Sequence, residues 1–280
     1  MNIIKKLIIK TASFFRIYIN YDGFRIETIS LIRDICRKDR SSPEEKEESE
    51  EKEEPDRKGY VFCLGDSNTF GWNYPYKDSF PVILGQKLNE NRRNKIFEVL
   101  NLGKGGSKIE DLDMGIINFF QPGKNNASVL NYGLNDALLE NIIKNYFDKN
   151  KSNINWEELN AGDFAGDAEE FANKYKNILN KLFETNERII IVGLYRIKKI
   201  RTINQLNPTE KYLNLQNDIL DLHNRKLMDI AWNTGADFID LWTILDDTEN
   251  NTDYLYKDGL HLNKKAFEVI AEKINDILLK

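Results

Sequence analysis

Four short segments hold residue types that could carry out acyl transfer. Ser67 sits in Gly65-Asp66-Ser67, where a hydroxyl could act as a nucleophile. Asp258 precedes His261 by three residues, so a single turn can set a carboxylate against an imidazole, fixing its tautomer and stabilising the charge it gains on taking a proton. Asn135, in Gly133-Leu134-Asn135-Asp136, offers an amide donor, and Asp136 suits a helix start. The turn Gly103-Lys104-Gly105-Gly106-Ser107 can expose backbone N–H groups to a negative centre. A nucleophile, a base, an orienting acid and donors for a tetrahedral oxyanion are the set that acyl transfer requires. Each piece also has an ordinary explanation as a turn or helix-cap residue. The second histidine, His223, falls within a helical pattern and reads as a surface or packing residue.

These segments need a frame that brings them to one place. Apolar, β-rich runs at 60–64, 97–100, 128–131, 188–194 and 236–239 alternate with helical periods at 80–91, 109–120, 136–146, 168–184, 211–232 and 264–279. Short continuous apolar strands separated by helices predict a parallel sheet covered on both faces, an α/β/α three-layer sandwich with five strands. Ligands of such sheets bind beyond the carboxyl ends of the strands, where all four segments are expected to lie. The polar stretch 147–167 reads as a loop or lid-like insertion. Two phosphate-loop patterns fail on the glycine-rich turn: Glu98 stands where a Walker A loop needs its first glycine, and Lys108 where a dinucleotide loop needs its third.

The four blocks, in this order and spacing, resemble the SGNH/GDSL hydrolase superfamily over residues 59–280. The resemblance implies a five-stranded, flavodoxin-like α/β/α fold and a serine esterase or acylhydrolase. By the same resemblance, Ser67 is the nucleophile, His261 the base and Asp258 its partner. The Ser67 N–H, the Gly106 N–H and the Asn135 side chain would form the oxyanion hole, with no metal or cofactor. Asn68 stands where the family name has leucine. The expected reaction is hydrolysis of an O-acyl ester, an acetyl group on a carbohydrate being favoured over a long acyl chain. Trp72, Tyr74 and Tyr76 could stack on a sugar, line an acyl pocket or simply pack. An acyltransferase acting on a glycan would use the same residues, and a non-catalytic binding module is the remaining alternative.

Composition divides the 280 residues into three blocks. Residues 1–40 hold nine Lys/Arg against four Asp/Glu, residues 41–58 hold four against nine, and the remainder carries a net charge of −5. The first block interleaves Ile, Leu and Phe with Lys and Arg. It is too interrupted for a spanning helix of about 20 apolar residues or for a cleaved leader. It reads as an amphipathic helical arm, suited to an anionic membrane surface or to packing on the body. The second block has almost no apolar side chains and reads as a disordered acidic linker. The mildly acidic third block excludes a strongly basic nucleic-acid-binding body. Two cysteines, Cys36 and Cys63, exclude a disulfide framework and fit a reducing, cytoplasmic compartment.

Overall fold

In the computed structural model the described residues are 59–90, 97–112, 126–143, 158–186, 188–199, 209–246 and 254–280. All belong to the unit Glu54–Lys280. The expected arm (1–40) and linker (41–58) lie outside the described residues.

The middle of the sheet follows from sequence directly. In β1 (Gly59–Gly65), Val61, Phe62, Cys63 and Leu64 are buried, as is all of β3 (Ala127–Asn131). β4 (Arg188–Val192) buries Ile189 to Val192. Uninterrupted apolar strands need cover on both faces, and burying one such side chain fully contributes about 1.5–3 kcal/mol. β2 (Phe97–Gly103) and β5 (Asp237–Ile239) flank them and are less buried. Among the described residues these five strands form one parallel sheet in the order β2-β1-β3-β4-β5. The order reverses between β1 and β3, which opens a crevice at their carboxyl ends.

Helices cover the sheet in two pairs that pack on each other: α2 (Phe80–Glu90) with α7 (Lys264–Leu278), and α4 (Ala165–Phe183) with α5 (Glu210–Thr234). Three further short helices are α1 (Ser67–Phe70), α3 (Leu134–Ala137) and α6 (Leu241–Asp246), and the described residues 139–143 are helical as well.

Several boundaries differ from the sequence reading. β2 runs on to Gly103, three residues past its expected end, so the first glycine of the expected turn is a strand residue. β4 stops at Val192: the Gly193 N–H gives its last bond to β5, at the Ile239 carbonyl, and the Leu194 N–H then turns to the Asn224 side chain. At 109–120 only a single 3₁₀ turn, Ile109–Asp111, falls in the described part. The helix expected at 136–146 starts at Leu134 and breaks at Leu138. The break is stabilised from α5: Gln216 accepts the Leu139 N–H at 2.7 Å and donates to the Ala137 carbonyl at 2.9 Å. A distant side chain thus supplies the partners that an unbroken helix would have supplied itself. α4 starts three residues before its expected position. It follows a 3₁₀ turn, Ala161–Phe164, that Asn160 caps. α6 had no counterpart in the sequence reading.

Candidate active site

The nucleophile candidate is placed by a sharp turn from β1 into α1. Asp66 caps that helix, accepting the Asn68 N–H at 2.9 Å. Ser67 is its first residue, so the Ser67 N–H has no partner within the helix. Gly65 makes the turn feasible: a Cβ there would lie 2.6 Å from the Asn131 carbonyl and 2.1 Å from Thr69 Oγ1.

Ser67 and His261 are 194 residues apart, yet Ser67 Oγ lies 3.0 Å from His261 Nε2. On the other side of the ring, His261 Nδ1 lies 2.7 Å from Asp258 Oδ2. A carboxylate only accepts, so Nδ1 carries the proton and Nε2 is left to accept from the serine hydroxyl. Asp258 is itself oriented, because its Oδ1 accepts the N–H groups of Leu260 and His261, each at 3.0 Å. Partial burial pushes the Asp258 carboxyl up. The bonds from the His261 N–H, the imidazole and the Leu260 N–H outweigh this and hold it below the usual carboxylate range.

Asn135 joins the turns that follow β1 and β2. Its amide donates to the Ser107 carbonyl at 3.1 Å and, more weakly, to Asp66 Oδ2 at 3.4 Å. Gly106, next to Ser107, has φ +75°, a conformation that glycine adopts without penalty, with open space where a Cβ would be. Asp136 does not cap α3. Both of its oxygens lie 3.2 Å from the Ile109 N–H, at the far end of the glycine-rich turn.

Asp66, which is buried, and Asp136, which is partly buried, lie around this donor cluster. Burial pushes the Asp66 carboxyl up to about 7, the Asn68 N–H opposing and the Asp136 charge adding to the rise. Burial likewise lifts Asp136 to about 7, against the bond from the Ile109 N–H. Both values exceed that of the unfolded chain, so the native state binds more protons between about pH 4 and 7. Stability from these groups is therefore complete below that window and lost as pH rises through 7. Asp136→Asn keeps an acceptor for the Ile109 N–H but removes the charge. Its melting temperature should exceed that of the wild type at pH 8 by clearly more than at pH 4, below the window; an equal difference at both would contradict the assignment.

Of the aromatic residues, Trp72 lies at the site. Its half-exposed ring is 6.4 Å from that of His261, at an interplanar angle of 29°. Tyr74 packs edge-on against Tyr256 and Phe267, while Tyr76 is exposed. His223 is buried in α5, donating from Nδ1 to the Ile219 carbonyl at 2.9 Å. Burial lowers it to about 4, so it stays neutral, which fits a packing role.

Three residues at the site were not singled out for it from sequence. Asn73, with φ +71°, points its amide at Asp258 Oδ2 from 3.5 Å. Asn68 and Tyr195 hydrogen-bond to each other and to the chain on either side of His261. For Tyr195 the available signal was its position just past β4, at the sheet edge shared by the other site residues.

Among the described residues no group of three or more His, Cys, Asp or Glu side chains could hold a metal ion. No described helix is long and apolar enough to cross a membrane.

The parallel sheet and the strand-end array define an ester-hydrolysing α/β enzyme. The chain belongs to the GDSL-like lipase/acylhydrolase family, whose model matches residues 63–269. Solved structures share the fold at low identity. A lipolytic protein of the G-D-S-L family from Veillonella parvula is 16% identical with a TM-score of 0.52, covering 79% of this chain and 99% of its own. Axe2, an acetylxylan esterase from Geobacillus stearothermophilus, is 16% identical with a TM-score of 0.55, covering 78% and 93%. A lipase/acylhydrolase from Enterococcus faecalis is 14% identical with a TM-score of 0.52, covering 78% and 94%. No curated protein matches the chain significantly.

Proposed function

We propose that this protein is a serine esterase that removes a small acyl group, with acetyl on a carbohydrate as the favoured substrate. Residues 59–280 carry the reaction, residues 1–40 serve as a basic arm and 41–58 as an acidic linker. The observation that carries the reading is the continuous chain from Ser67 Oγ through the imidazole of His261 to Asp258. His261 Nε2 takes the Ser67 proton as Oγ attacks the acyl carbonyl, and Asp258 stabilises the imidazolium. The oxyanion is met by the N–H groups of Ser67 and Gly106 and by the Asn135 amide, whose 3.4 Å contact to Asp66 is the one readily redirected. His261 then protonates the leaving alcohol, and the same ring activates water to release the acyl group from Ser67.

Trp72 supports the choice of substrate. A half-exposed indole beside the imidazole offers a flat apolar face on which a sugar ring can stack. An acetylxylan esterase among the structures of like fold is consistent with that choice.

The test is a screen of p-nitrophenyl acetate, butyrate and octanoate together with acetylated xylo-oligosaccharides. Acetate esters should have the highest kcat/KM, and release of octanoate as fast as acetate would refute the small-acyl reading. In the same assay Asn135→Ala should lower kcat by about 10²–10³, the scale of one lost oxyanion donor. An unchanged kcat would remove Asn135 from the hole.

A further inference from the structure

Asn68 is the residue directly after Ser67 and is almost completely buried, at 1% exposure. Its short amide makes two side-chain bonds to parts of the chain remote in sequence. Oδ1 accepts the N–H of Leu262 at 3.0 Å, and Nδ2 donates to the hydroxyl of Tyr195 at 2.9 Å. Tyr195 Oη in turn donates to the carbonyl of Leu260 at 2.8 Å. Tyr195 is itself 2% exposed. Burial, with the Asp66 charge adding, holds its phenol well above the usual range, so it remains a donor. The peptide groups on both sides of His261 are therefore tied to the residue adjoining the nucleophile.

We propose that Asn68 and Tyr195 act as a clasp that sets the Ser67–His261 separation, making both of them positioning residues for proton transfer. The proposal rests on the reading of Ser67 and His261 as nucleophile and base. Three features distinguish the clasp from ordinary packing. It bridges 194 residues through a side chain whose own backbone neighbour is Ser67. It holds the Leu260 carbonyl and the Leu262 N–H, which bracket the imidazole along the chain. It also requires a donor and an acceptor on one short side chain: asparagine has both, and leucine has neither. Asp258 fixes the same loop from the other side, through the N–H groups of Leu260 and His261. That contact orients the ring relative to its own loop. The clasp orients the loop relative to the serine. A displacement of about 1 Å between reacting groups is enough to cost on the order of 10²-fold in rate.

The experiment compares the full-length wild type with Tyr195→Phe, Asn68→Ala and the double variant. Tyr195→Phe keeps the ring and removes only the hydroxyl. For each protein, kcat and KM on p-nitrophenyl acetate, the rate of Ser67 labelling by a fluorophosphonate and the melting temperature are measured. The clasp predicts a loss of about 10- to 100-fold in kcat for each single variant, with KM within about twofold. The labelling rate should fall by the same factor, in protein that is still folded at the assay temperature. The double variant should lose little more than the worse single one, because both substitutions open the same link. A folded Tyr195→Phe that labels and turns over like the wild type would overturn the clasp alone. So would losses that multiply in the double variant. Unfolding of both single variants would also overturn it, by making the link structural. If the wild type is labelled at a residue other than Ser67, the serine assignment fails and the clasp fails with it.

Discussion

Ser67→Ala is expected to abolish ester turnover, lowering kcat by about 10⁶-fold, and to leave no residue labelled by a fluorophosphonate. The size of the effect follows from how little else could replace the hydroxyl. Ser67 Oγ is the group that His261 Nε2 faces, at 3.0 Å, and without it the imidazole has no nucleophile to deprotonate. The fold should survive the change. The turn is held by the Asp66 cap, by the bonds from the Gly71 and Trp72 N–H groups to the Ser67 carbonyl, and by the Phe70 N–H to the Asp66 carbonyl. None of these involves Oγ. A melting temperature close to that of the wild type, alongside lost turnover and lost labelling, is the expected pattern. Substantial acetate-ester hydrolysis by the variant would mean that another residue is the nucleophile.

Asp258→Asn should cost about 10⁴-fold in kcat with little effect on KM. The reason is tautomeric rather than steric. In the wild type, Oδ1 accepts two backbone N–H groups and Oδ2 accepts the Nδ1 proton. Asparagine can keep Oδ1 in place and so preserve the loop. The group then facing Nδ1 is an NH2 donor, which drives the ring proton to Nε2 and points an N–H at the serine hydroxyl. The base is present but holds its proton on the wrong nitrogen. The net depression of the Asp258 carboxyl indicates that its charged form is the one the loop was built to hold. The assay is steady-state hydrolysis of p-nitrophenyl acetate beside circular dichroism, and a variant within tenfold of wild-type kcat would sink the role given to Asp258.

The element plan was legible where a local pattern maps onto one environment. The Ile189–Val192 run can only be a strand buried on both faces. The long period of α5 and that of α7 each present a buried stripe that one helix satisfies. Legibility failed where a remote polar group changed the local outcome. Nothing near Leu138 announces a break, because the side chain that satisfies Ala137 and Leu139 is Gln216, 79 and 77 residues away. Asp136 stands in the first turn of α3 as its type suggests, but its side chain receives the Ile109 N–H, 27 residues before it. Asn68 looked like a tolerated departure from a family pattern, and its partners lie 127 and 194 residues on.

The sequence by itself determined which residues can do chemistry, their order along the chain and the number of strands. Residue type and apolar period are local properties, and the three-residue step from Asp258 to His261 already allows one turn to join them. Only the tertiary structure decided that β1 lies between β2 and β3, so that the turns carrying Ser67, Gly106 and Asn135 share one crevice. It alone brought the His261 loop within 3.0 Å of Ser67. Strand order and loop docking are settled by which buried donors and acceptors find partners across the whole chain, and no local window contains that information.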